Sequence, residues 1–179
     1  MIDPAIGALL AGALALLFVS AAFHKLRNLQ HFAQALRAYR VLPEWAAAMA
    51  WLVPLLELTV GASLLARGSR SGACAAGAAL LLAYAAAIAI NLQRGRRDLA
   101  CGCGGPDERR PIAPWMVWRN LLLAGLLAAM LLPWSGRPMN GADALTIGAG
   151  TAVAALLYMS LEQLLDRVAP RTALLGGPR

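Results

Sequence analysis

Charge is what this sequence has least of. Only 14% of its 179 residues are Asp, Glu, Lys or Arg, where a soluble domain carries about a quarter. With so little charge and so much apolar content, a disordered chain and an ordinary soluble enzyme are both excluded as readings. Three cysteines are too few for a small secreted domain held by disulfides. Lysine is nearly absent, with Lys25 alone beside fifteen arginines. Strand-like alternation is missing too, so a membrane β-barrel has no support.

What the chain has instead is apolar length. Hydrophobic residues make up 60% of it. They gather into five runs: Ala5 to Phe23, Trp45 to Ala66, Gly72 to Leu92, Trp115 to Trp134, and Ala144 to Leu161. Each is about long enough to cross a bilayer at ~1.5 Å per residue. A backbone in lipid must satisfy its own hydrogen bonds, so the runs read as helices. The expected fold is an all-α polytopic membrane bundle of about five transmembrane helices. It forms one domain over residues 1–166, with a mobile tail at 167–179.

Only Met1, Ile2 and Asp3 precede Pro4, and the basic residues follow the first run rather than lead it. That order reverses a cleavable signal peptide, so a retained helix is expected. The N-terminus and the second and fourth loops hold three basic residues, against thirteen on the other side. The bias places the N-terminus in the periplasm and the loop after the third run in the cytoplasm. With the arginines between spans, a membrane face explains the net charge of +7 better than a nucleic acid does.

Between the first two runs, Leu26, Leu29, Phe32, Ala33, Leu36 and Tyr39 recur at helical spacing among polar residues. His24 to Leu42 is therefore expected to be an amphipathic interfacial helix ended by Pro43. Trp115, Trp118 and Trp134 read as interfacial belt residues.

The loop after the third run carries the chemistry: Arg94-Gly95-Arg96-Arg97-Asp98-Leu99-Ala100-Cys101-Gly102-Cys103-Gly104-Gly105. A disulfide across one intervening residue closes a small strained ring, and strained disulfides are readily reduced. Glycine eases that closure, and nearby arginines stabilise a thiolate. Cys101 and Cys103 are thus the candidate catalytic pair for thiol–disulfide exchange. The same thiolates suit a soft metal such as Cu(I) or zinc, with His24 as a third ligand. They also read as two plain reduced thiols in a turn. No second cysteine pair exists for a four-ligand zinc site. Cys74, near the start of the third run, reads as a buried free thiol, with a relay role as the sharper alternative.

Glu57 interrupts the second run near its middle, three residues after Pro54. An intramembrane carboxylate marks a proton or ligand site, or a neutral group bonded to a neighbouring helix. Pro54 is expected to kink the helix and open a polar pocket beside it. His24, Lys25, Asn91, Asn120, Arg97 and Arg119 map near the cytoplasmic ends of spans, where they form either a rim for the thiol pair or headgroup anchors.

Several of these stretches together resemble the MauE family of methylamine-utilisation proteins, relatives of DoxX. The resemblance rests on Ile90 to Arg97 followed by Cys101-Gly102-Cys103-Gly104, on His24-Lys25-Leu26-Arg27, on Tyr39-Arg40-Val41-Leu42-Pro43, and on the Glu57 span. It covers about residues 10 to 135. The family often has an aromatic after the second cysteine, where this chain has Gly104 and Gly105. The resemblance implies a multi-span inner-membrane protein that helps mature periplasmic methylamine dehydrogenase, whose small subunit is rich in disulfides. It implies a periplasmic thioredoxin-like partner, and Cys101 and Cys103 as the redox pair. No cofactor is assigned; a quinone or a soft metal is a candidate. Soft-metal transport and a non-catalytic assembly role are the competing readings. A periplasmic target sits awkwardly with a cysteine loop that the charge bias places in the cytoplasm.

Overall fold

The computed structural model describes residues 3–41, 43, 48–99, 111–132 and 138–175. Every regular element among them is helical: α1 (Pro4–Arg27), α2 (Leu29–Tyr39), α3 (Leu52–Leu65), α4 (Arg70–Gln93), α5 (Pro114–Ala129) and α6 (Gly141–Leu175). The protein is an all-α membrane bundle with one short amphipathic helix. Three helical stretches are long and apolar enough to cross a bilayer: Pro4–Arg27, Arg70–Gln93 and Gly141–Leu161. The other two apolar helices are shorter, 14 residues in α3 and 16 in α5, or about 21 and 24 Å of rise. Each falls short of a hydrocarbon core of about 30 Å.

Helix starts follow local chemistry. Asp3 caps α1, its carboxylate accepting from the Ala5 amide at 2.8 Å, and Pro4 opens the first turn, where a missing N–H costs no bond. Pro54, expected to kink its helix, also stands where a missing N–H costs no intrahelical bond. Helix α3 begins at Leu52, so Pro54 lies in its first turn. Pro114 likewise starts α5.

The amphipathic segment also differs from its expected bounds. Helix α1 continues through His24 and Lys25 to Arg27, the chain breaks at Asn28, and α2 begins at Leu29. It ends at Tyr39, before Pro43, because Arg40 turns left-handed at φ 48°. Its inner face is Phe32, Ala35 and Tyr39.

Helices α1, α3, α4 and α5 share one apolar core containing Leu14, Phe18, Val60, Leu64, Leu81, Leu123 and Leu127. Cys74 is a free thiol buried within it, as expected of a small apolar residue. Gly77 lets the four helices meet. A Cβ there would lie 3.0 Å from Leu127, 3.1 Å from Val60 and 3.2 Å from Phe18. Helix α6 packs on α1, with Thr151 Oγ1 donating to the Leu9 carbonyl at 3.5 Å. Leu145, Leu156 and Leu157 of α6 are exposed, as lipid-facing residues are.

Candidate functional site

Two polar constructions occupy the same end of the bundle. The deeper one joins three helices. Lys25, in the last turn of α1, is buried, and its Nζ donates to Glu57 Oε1 at 2.5 Å. The hydroxyl of Tyr84, on α4, donates to the same oxygen at 2.8 Å. Glu57 is only 1% exposed. Its second oxygen, Oε2, is buried and has no hydrogen-bond partner among the described residues. The Lys25 ammonium lies 5.2 Å from the ring centroid of Tyr84 and 5.6 Å from that of Phe32 on α2, within reach of cation–π attraction. Arg119 on α5 adds a like-charge repulsion on Lys25 and stacks on the Trp115 ring at 5.4 Å.

This arrangement changes the reading of both charges. Glu57 is the sixth of the 14 residues of α3, near the middle of the helix. It is paired with the Lys25 ammonium rather than isolated in the bundle. Lys25 is no headgroup anchor, since its side chain points into the bundle. Tyr84 escaped the sequence reading because a lone tyrosine in an apolar run looks like packing. The available signal was its position: Tyr84 and Asn91 are seven residues apart, on one face of α4.

The second construction lies where α4 exits. Asn91 is fully buried; its Nδ2 donates to the Ala87 carbonyl at 3.0 Å and its Oδ1 accepts from Arg96 at 3.1 Å. Arg96 also donates to the carbonyls of Ala38, at 2.8 Å, and Tyr39, at 3.5 Å. Arg94 donates to the Arg40 carbonyl at 3.3 Å. Three residues past Arg96, the Leu99 carbonyl accepts from the Ile112 amide at 3.0 Å. Beneath them Tyr39, Ile88, Ile112 and Met116 form a small apolar cluster. Burial there pushes the Tyr39 phenol up to about 12.

The other candidates stand apart from these two groups. His24 is half-buried, edge-on to Phe23 at 6.4 Å between centroids. Arg97 is exposed. Asn120 is buried and donates to the Met116 carbonyl at 3.0 Å. Trp118 is exposed, as a belt residue would be. Cys101, Cys103 and Trp134 lie outside the described residues. Among those described, no three His, Cys, Asp or Glu side chains converge as metal ligands.

The family model for the methylamine utilisation protein MauE matches residues 3–133, which contain both constructions and the cysteine loop. The chain belongs to the MauE family. MauE of Paracoccus denitrificans is 40% identical over 165 residues, covering 89% of this chain and 87% of that protein. The MauE proteins of Paracoccus versutus and Methylophilus methylotrophus are 38% and 34% identical over similar shares, 90% and 89% of this chain and 88% and 86% of theirs. No solved structure matches the chain. The match to MauE proteins thus runs well past the about 125 residues that carried the resemblance, into α6.

Proposed function

We propose that this MauE-family protein serves methylamine utilisation from the inner membrane as a thiol–disulfide exchange factor, helping a periplasmic partner acquire its disulfides. The partner proposed is the small subunit of methylamine dehydrogenase, reached directly or through a thioredoxin-like protein. The observation that carries the reading is Cys101-Gly102-Cys103 in an arginine-rich loop. Supporting it is the fixed root of that loop, held by Arg96 and by the Leu99–Ile112 pairing.

In the exchange, a partner thiolate attacks one sulfur of the Cys101–Cys103 disulfide and a mixed disulfide forms. A second partner thiolate attacks that bond, releasing the reduced pair. Two electrons and two protons pass from partner to pair, and the partner is oxidised. Resetting the pair requires a two-electron acceptor, for which a membrane quinone is the class proposed.

Single Cys101→Ser and Cys103→Ser variants test this in cells that express the dehydrogenase. In each variant the remaining thiolate can attack a disulfide of the oxidised partner, the reverse of the second step, and with no second cysteine to resolve it one of them should accumulate a mixed disulfide that runs as a larger species without reductant. Two non-trapping variants that both support full maturation of the dehydrogenase would end the redox reading. An impermeant thiol reagent on intact cells tests the orientation. Labelling of the pair only after permeabilisation agrees with the charge bias; labelling from outside overturns it.

A further inference from the structure

We propose that Arg96 is the positioning residue of the cysteine loop, pinning the root of that loop to the C-terminus of α2. The proposal deepens the exchange reading, and its test is independent of any partner.

The last carbonyls of a helix have no intrahelical donors and carry partial negative charge. In α2 these belong to Ala38, Tyr39 and Arg40, and all three accept from arginines at the exit of α4. The local sequence explains how. Helix α4 stops at Gln93, and Gly95 takes φ +72°, a conformation costly for residues with a Cβ. That turn sends the chain back so that the Arg96 amide donates to the Asn91 carbonyl at 3.0 Å. The Arg96 side chain then spans two α2 carbonyls and the buried Asn91 amide. The guanidinium meets these acceptors from two nitrogens, Nη1 and Nη2, held in one plane; an ammonium carries its three donors on a single nitrogen and does not reproduce that geometry.

Cys101 is five residues from Arg96. Even a fully extended chain keeps its Cα within about 18 Å of that anchor. A released root would let the loop and α2 move independently. Phe32, at the other end of α2, lies against Lys25. Helix α2 therefore connects the intramembrane charge cluster to the root of the loop, and Arg96 makes the second attachment.

Spin labels on Gln34→Cys and Asp98→Cys, both exposed positions, read the attachment directly. The background is the full chain with Cys74→Ala, Cys101→Ser and Cys103→Ser, in lipid nanodiscs. With Arg96 present, a single narrow distance distribution is expected. Arg96→Ala and Arg96→Lys should each broaden it at least about twofold, because the lysine keeps the charge and loses the fork. Asn91→Ala should broaden it less. In the native-cysteine chain, the pH midpoint for alkylation of Cys101 and Cys103 by iodoacetamide should rise in both Arg96 variants.

A distribution unchanged in Arg96→Ala overturns the proposal. So does an Arg96→Lys chain that matches wild type in width and midpoint, since charge alone would then suffice. Failure of the trapping experiment leaves these distances untouched, so the two readings fail separately.

Discussion

The two polar constructions solve opposite problems. In the deep cluster, Lys25 and Glu57 pair side chain to side chain, and both side chains are buried. At the loop root, arginines near the surface spend their donors on backbone carbonyls. A buried charge that loses its partner has nowhere to find another, whereas a carbonyl near the surface can be hydrated. Damage to the first region should therefore be thermodynamic, and damage to the second mainly geometric.

The largest expected effect comes from breaking the buried pair on one side. Lys25→Met or Glu57→Leu alone should cost about 3–5 kcal/mol, read from reversible unfolding in mixed micelles. The Lys25→Met/Glu57→Leu double variant should recover most of that loss, because the desolvation penalty disappears with both charges. A double variant no better than the singles would show that the pair is not an isolated unit.

Next is Tyr84→Phe, which removes one hydrogen bond to a buried carboxylate and leaves the ring. About 1.5–3 kcal/mol should be lost in the same assay. A neutral result would mean that Lys25 alone holds Glu57.

A cycle of Asn91→Ala and Arg96→Ala should show coupling of at least about 0.5 kcal/mol, since the two side chains share a hydrogen bond. Simple additivity would show that they act separately.

Under α2 the comparison turns on a pH window. The folded state holds the Tyr39 phenol near 12 against an ordinary 10.0. A raised value favours the protonated form on folding. This contribution is complete below about pH 10 and is lost as the pH rises toward about 12. Wild type should destabilise more than Tyr39→Phe across that interval, and parallel curves would place Tyr39 outside the cluster under α2.

Composition made the membrane class legible because a bilayer demands long apolar helices and little else supplies them. Five apolar runs correspond to α1, α3, α4, α5 and α6, yet α3 begins only at Leu52, well inside the second run. An apolar stretch reports what a segment can be buried in, and it is silent on where hydrogen bonding begins. The motif Cys101-Gly102-Cys103 was visible for a similar reason: its chemistry is local.

Asn91 and Arg119 stand out in the sequence as polar residues near span ends, and the pairings they make do not. Arg96 bonds to carbonyls 57 and 58 positions away, and backbone carbonyls leave no trace in a residue's identity. Lys25 and Glu57 are 32 positions apart. Both were marked as candidates from sequence, yet nothing in periodicity links them.

The sequence by itself determined the solvent, the helical class, the family resemblance and the cysteine pair, because these follow from composition, run length and neighbouring residues. The tertiary structure alone decided that Glu57 meets a cation, that Tyr84 joins it, and that Arg96 ties the loop root to α2. Each of these depends on which helix faces are brought together, and packing sets that over distances that residue order does not encode.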